Sequence, residues 1–266
     1  MKAFNTATTS DNKIHDDDVA RSYGFSGGLV PGVDVYAYLT HIPVDVWGSD
    51  FLSRGSISAR FLHPVYDGDD VTIDSSSSSS SSDGDRDGLS LTLVDSRGEI
   101  CATASASLPR DQVAGPPLQD VPPLASLPDT VPPASHDLFA PRPVLGSLEY
   151  GFHAEHAPAY LNDVRETLPI YRTEHIAHPG WLLRHANYVL SANARLGPWI
   201  HVSSNVQFHD LVHDGDALST RASVIDEFER KGHKFVVLDV AYVANEQRVV
   251  MRVEHTSIYE PRRNKD

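Results

Sequence analysis

The chain has 266 residues, 40% of them hydrophobic and 22% charged, which is ordinary globular usage and excludes global disorder. It carries 22 Lys+Arg against 36 Asp+Glu, a formal charge of −14, which disfavours binding to phosphate backbones or anionic membrane surfaces. A single cysteine, Cys101, excludes a disulfide framework and a thiolate metal cluster and fits a reducing, cytoplasmic compartment.

In chain order, a polar start from Met1 to Ala20 lacks the apolar core of a signal peptide. Pro31-Gly32 then opens an apolar helix over Val33 to Trp47, with Gly48 where a C-terminal cap belongs. Alternation predicts strands over Gly55 to Phe61, Val71 to Ile73, Leu89 to Val94 and Ile100 to Leu108. The serine run Ser75 to Ser82 has nothing to bury and reads as an exposed hairpin tip.

Composition changes after Pro109. Nine of the 18 prolines fall between Pro116 and Pro143, which forbids a helix or a central strand there. Leu118, Val121, Leu124, Leu127, Val131, Leu138 and Phe139 recur through this stretch, so it reads as a strap lying on a folded surface.

Beyond the strap the order repeats. Pro179-Gly180 opens a helix over Trp181 to Leu196, with Gly197 as its cap, followed by strands over Val202 to Phe208, Ala217 to Glu227, Phe235 to Ala244 and Arg248 to Ile258. The longest apolar run, Phe235 to Ala244, contains Asp239 and is too short to span a membrane. Val65-Tyr66-Asp67-Gly68-Asp69 returns 147 residues later as Val212-His213-Asp214-Gly215-Asp216. Matched punctuation at matched spacing indicates an internal duplication. The division is an N-terminal unit over 1–112, a strap over 113–145 and a C-terminal unit over 146–266. One long helix followed by antiparallel strands, twice, is an α+β arrangement.

Ser10-Asp11-Asn12-Lys13-Ile14-His15, Val19-Ala20-Arg21, Tyr23-Gly24-Phe25 and Leu29-Val30-Pro31-Gly32 resemble the front end of the MaoC-like hydratases, the (R)-specific enoyl-CoA hydratases and 3-hydroxyacyl dehydratases. Glu166-Thr167-Leu168-Pro169-Ile170-Tyr171 and Ile176-Ala177-His178-Pro179-Gly180 repeat the theme. The resemblance implies a double hotdog: two antiparallel sheets, each wrapped around a long central helix and packed side by side into one continuous sheet. It also implies water addition to, or removal from, a 2-enoyl thioester of coenzyme A or a carrier protein, with no other cofactor.

By the same resemblance His15 is the acid/base, Asn12 and Asp11 position water, and the Gly32 amide holds the thioester oxygen. Gly180 and His178 are the second-half counterparts of the oxyanion site, with a helix cap favoured for His178. Two positions depart from the family pattern. Ser10 stands where the family has its aspartate, leaving Asp11 one residue out of register, and the second half pairs Glu166 with Tyr171 in place of a histidine. A diverged hotdog enzyme (a thioesterase, or a cyclase or isomerase) and a non-catalytic acyl-thioester-binding subunit are the alternatives. Hotdog proteins associate through sheet edges, so a homodimer is expected by analogy. His153/His156 and His209/His213 form no tight ligand set, so no metal is expected.

Overall fold

The computed structural model describes residues 1–77 and 86–262. Ser78 to Ser82 of the serine run lie outside the described residues.

Among the described residues, four strands form in the first half: β1 (Ser56–Phe61), β2 (Val71–Ser77), β3 (Arg86–Asp95) and β4 (Ile100–Pro109). Five form in the second: β5 (Val144–Gly151), β6 (Ile200–Phe208), β7 (Ala217–Arg230), β8 (His233–Ala244) and β9 (Arg248–Glu260). They hydrogen-bond into a single nine-stranded sheet in the order β2-β3-β4-β1-β6-β9-β8-β7-β5. The two halves thus share one continuous sheet: β1 pairs antiparallel with β6, Ser56 opposite Gln207 through Arg60 opposite Ser203, and closes the seam.

Among the described residues seven α-helices accompany the sheet: α1 (Asp17–Ser22), α2 (Gly32–Trp47), α3 (Ser49–Arg54), α4 (His136–Phe139), α5 (Ala157–Asp163), α6 (Ile170–Thr173) and α7 (Pro179–Asn193). The two long ones, α2 and α7, are the apolar helices read from the sequence. They pack against each other in the core so closely that a Cβ on Gly180 would come within 2.6 Å of Ala37 Cβ. Among the described residues no helix is long and apolar enough to cross a membrane.

The duplication is visible bond by bond. Val30 N donates to Val65 O at 2.8 Å, and Ala177 N to Val212 O at 2.9 Å. Tyr66 N donates to Asp69 Oδ2 at 2.9 Å, and His213 N to Asp216 Oδ2 at 2.9 Å. Gly68 and Gly215 turn the chain at φ of 78° and 86°, a region that glycine enters without strain. Each of these pairs is separated by 147 residues.

The short helices α1, α3, α5 and α6 have no forerunner in the sequence reading, and α4 is a single turn capped by Ser135 inside the proline-rich stretch where no helix was expected, in the proline-free interval between Pro133 and Pro141. Three further elements differ from the sequence expectation. First, β2 runs past Ile73 to Ser77 because Ser75, Ser76 and Ser77 pair with Leu91, Ser90 and Leu89. As an edge strand, β2 needs backbone partners on one side only, not buried side chains. Second, α7 stops at Asn193, short of Gly197. The Asn193 amide accepts from Gly146 N at 2.6 Å and donates to Gly146 O at 2.8 Å, tying the helix end to β5. The Arg195 backbone pairs instead with Pro132 and Ala134 of the proline-rich segment. Third, β5 has no forerunner in the sequence reading; it starts at Val144, immediately after Pro143.

The proline-rich segment lies on the sheet. Val121 is buried with Ala241, Val243 and Val249, with Leu118 packed beside them, and Phe139 is fully buried against Tyr259. Leu124 and Leu127 remain exposed.

Candidate active site

The first-half loop around His15 is built by short-range hydrogen bonds. Asn12 caps the single turn Lys13–His15 with its side chain. Its amide is fixed at both ends by one backbone unit: Oδ1 accepts from Trp199 N at 3.1 Å and Nδ2 donates to Trp199 O at 3.0 Å. A buried asparagine thus staples the His15 loop to the start of β6.

His15 Nδ1 lies 2.6 Å from Leu29 O. A carbonyl only accepts, so the proton sits on Nδ1 and Nε2 keeps its lone pair. Asn12 Nδ2 lies 3.3 Å from that Nε2. Burial holds the His15 pKa below the ordinary histidine value, partly offset by the Leu29 bond and by the charge of Asp34. His15 is therefore a neutral imidazole at neutral pH, its unprotonated Nε2 accepting from Asn12 Nδ2.

That imidazole lines a cavity of about 370 Å³. Its walls are largely apolar, including Phe25, Leu29, Val35, Phe61 and Trp199, and the polar groups Asn12, His15, Asn187 and His201 converge on it. Gly32 also lines it, at the first turn of α2, which has no side-chain cap. Asp34 N and Val35 N bond to Pro31 O, which leaves the Gly32 and Val33 amides as the orphan donors of that turn. A Cβ at Gly32 would sit 2.9 Å from His201 Nδ1, so only glycine fits against that ring.

Asp11 is exposed and does not line the cavity. Ser10 closes a turn, its hydroxyl accepting from Asn12 N at 3.1 Å. The carboxylate acting electrostatically on His15 is Asp34, in the first turn of α2, fully buried and committed to other partners. It accepts from Arg184 Nη2 at 2.7 Å and Nε at 3.1 Å, and from Thr6 Oγ1 at 2.6 Å.

The second half carries the matching residues without the matching space. His178 Nδ1 accepts from Gly180 N at 3.0 Å, so His178 is the N-cap of α7. Its Nε2 faces Glu166 Oε2 at 3.5 Å, and Glu166 Oε1 meets His41 Nδ1 at 2.9 Å. Burial opposes the charge on Glu166, but His178, His41 and the Leu168 amide together hold its carboxyl well below the usual carboxylate range. Gly180 has no room for a ligand beside it: a Cβ would meet Tyr160 Oη at 2.5 Å as well as Ala37. Tyr171 is fully buried against the His178 ring, its phenol pushed well above its ordinary pKa by burial. The nearest void is about 70 Å³. The expected second oxyanion site is filled by packing.

Two features escaped the sequence reading. The Asp34–Arg184 pair could have been suspected only from a charged residue inside an apolar helix. His201 was hidden by a bulge at Val202: the pairing of β6 with β9 slips between His201 and Ser203, which puts His201 and Ser204, three apart, on one buried face. Strict alternation assigns them to opposite faces. Among the described residues no group of three or more His, Cys, Asp or Glu could hold a metal ion.

No protein-family model matches the chain, and no curated protein matches its sequence. Solved structures do match. A MaoC-like dehydratase aligns over 96% of this chain and 91% of its own, at 13% identity and a TM-score of 0.63. A Mycobacterium tuberculosis protein described as a double hotdog fold aligns over 97% and 93%, at 16% identity and 0.64. The chain has the hotdog fold. A provisionally assigned thioesterase from Novosphingobium aromaticivorans aligns over 88% of both chains, at 11% identity and 0.56. Hotdog proteins named for dehydration and for thioester cleavage therefore share this architecture.

Proposed function

We propose that the chain adds or removes water across the double bond of a 2-enoyl thioester, carried on coenzyme A or a carrier protein, and that its two halves are fused hotdog units of which only the first is catalytic. The observation that carries this reading is His15: its proton is fixed on Nδ1 by Leu29, so Nε2 is an unprotonated base, held by Asn12 Nδ2, on a ring that lines a largely apolar cavity next to the first turn of α2.

In the hydration direction, a water oxygen bonds to C3 while His15 Nε2 takes its proton. The C2–C3 π electrons move onto the thioester oxygen, which the Gly32 amide and the dipole of α2 hold. His15 then returns the proton to C2. One residue serves as base and acid, so no second carboxylate is needed and Asp11 has no part. Asn12 keeps the imidazole in register, its Nδ2 donating to Trp199 O and to His15 Nε2.

Thioester cleavage is the second reading. It is favoured by Ser10 in the place of the family's aspartate and by the likeness to a thioesterase fold. The same base would then direct water at the carbonyl carbon.

The test is loss of the conjugated enoyl absorbance with 2-enoyl-CoA esters of graded length. Intact protein is expected to turn over at least one of them, and His15→Gln to lose roughly 100-fold or more of the rate while keeping its melting temperature. Unchanged turnover in His15→Gln refutes the assignment.

A further inference from the structure

The cavity wall reaches the surface on two flanks, and their charges differ. Across one end of the sheet the cavity runs from Leu62 and His63, which follow β1, past the start of β6 to His233 at the start of β8. On the β1 flank the cations are matched: His63 Nδ1 lies 3.5 Å from Glu99 Oε2, and Arg97 Nη2 lies 2.7 Å from Asp95 Oδ2. On the β8 flank they are not. Arg230, Lys231 and Arg262 are exposed, and none of them meets a carboxylate among the described residues. Three unmatched cations side by side make a local positive field on a chain whose formal charge is −14.

A tight turn puts them there. Lys231 and Gly232 have φ of 53° and 78°, both positive, as a two-residue type I′ turn between β7 and β8 requires. Arg230 is therefore directly opposite His233, and cross-strand partners share a face with Cβ atoms roughly 5 Å apart. That face is the cavity face, since His233 lines the cavity. The next pair alternates to the other face: Glu229 lies opposite Lys234, and Lys234 Nζ donates to Glu260 at 3.0 Å there. Arg262 completes the cluster. Its backbone N–H donates to His233 Nδ1 at 3.1 Å, and its side chain crosses the turn, so that a Cβ on Gly232 would sit 3.1 Å from Arg262 Cδ. With Nδ1 accepting, His233 keeps its proton on Nε2 and adds an N–H donor at the rim.

We propose that Arg230, Lys231 and Arg262 form an anion site for the phosphorylated nucleotide of coenzyme A, and that this site selects a coenzyme A ester over a protein-borne one. The thioester then enters with its carrier on the β8 flank and its acyl tail toward Leu62. The spans agree. From His201, which lies against Gly32, to His233 is two strand spacings across the sheet and three residues along it, about 14 Å. A pantetheine arm puts about thirteen bonds between the thioester sulfur and the first phosphorus, roughly 16 Å when extended. Charge decides between the carriers. Coenzyme A ends in a diphosphate and a phosphate monoester, about four negative charges at neutral pH, whereas an arm on a carrier protein keeps a single phosphodiester and about one charge. Three cations without carboxylate partners match the first. The inference rests on the thioester reading above.

Two measurements test it. In the first, coenzyme A is titrated calorimetrically into the intact chain and into the triple variant Arg230→Gln, Lys231→Gln, Arg262→Gln. The intact chain is expected to bind it, with an affinity that falls as salt rises, and the triple variant to bind it roughly ten-fold or more weakly. In the second, kcat/KM is compared for one 2-enoyl group carried on coenzyme A, on pantetheine, which has no phosphate, and on a carrier protein. The intact chain is expected to favour the coenzyme A ester roughly ten-fold or more over both others, and the triple variant to lose that preference. Coenzyme A binding that is absent or survives the triple substitution, equal turnover of the coenzyme A and pantetheine esters, or a preference for the carrier-protein ester each overturns the proposal while leaving the thioester reading standing. Coenzyme A held through the cluster with none of the three esters turned over supports the site and removes the hydration reading instead.

Discussion

Replacing Arg184 by methionine isolates one buried contact between the two halves, the Asp34–Arg184 pair. Asp34 on α2 has no exposed surface, while the Arg184 side chain on α7 is 17% exposed, with its guanidinium 4.4 Å above the Tyr160 ring. Removing the arginine strands a carboxylate in the core with only Thr6 to serve it. Breaking one side of a buried pair costs about 3–5 kcal/mol, which for a chain of this size lowers the melting temperature by roughly 10 °C. The loss depends on pH. Burial already raises the Asp34 pKa above the ordinary 3.8 against the lowering by Arg184 and Thr6, and loss of Arg184 raises it further. A carboxyl whose folded pKa is raised folds well when protonated and loses stability as pH climbs through that value. The deficit of Arg184→Met should therefore be greatest at neutral pH and shrink as the medium is acidified below the raised pKa. Asp34→Leu combined with Arg184→Met should recover most of the loss, since no buried charge is stranded. Calorimetric scans of the three proteins across pH check this. A deficit independent of pH, or a double variant no better than the single one, refutes the reasoning.

Three further outcomes follow from the site. Gly32→Ala places a methyl 2.9 Å from His201 Nδ1, so turnover should fall at least ten-fold through displacement of the ring and of the first turn of α2, measured as kcat/KM on a 2-enoyl thioester. Because burial lowers the His15 pKa, its base form persists below the ordinary histidine value of 6.5; kcat/KM should stay level through neutrality and drop only at more acid pH, and a limb above 6.5 would contradict the assignment. Glu166→Gln should cost about 1–3 kcal/mol of stability in thermal scans, with the loss fading as pH falls through the depressed pKa of Glu166, yet leave turnover intact, because its cluster is plugged by Tyr160 and Ala37.

Much of the fold was legible because it is written in periodicity and punctuation. The paired Asp-Gly turns at Gly68 and Gly215, the Pro-Gly openings of α2 and α7, and the alternating strands each depend on local chemistry. What could not be read depends on long-range pairing. Asn193 ends α7 early because Gly146, remote in sequence, offers it a better partner than the next helical turn. Serines with nothing to bury still extend β2 because an edge strand asks only for a backbone neighbour. In the site, His15, Asn12 and Gly32 were marked by local motif and do converge on one cavity. Asp11 was marked by proximity in sequence and lies outside it. His178 and Glu166 kept their spacing while their cavity was filled from Tyr160 and Ala37, and no spacing rule reports on such filling. His201 was missed because one bulge inverts the inside–outside order that alternation assumes.

The central claim is that His15 directs water at carbon C3 of an enoyl thioester. Incubating the protein with a 2-enoyl-CoA in oxygen-18 water and locating the label by mass spectrometry tests it most directly. The account predicts the label in a 3-hydroxyl group with the thioester intact, and none of it in His15→Gln. Label in a free carboxylate, with coenzyme A released, would contradict it and establish thioester cleavage at the same site.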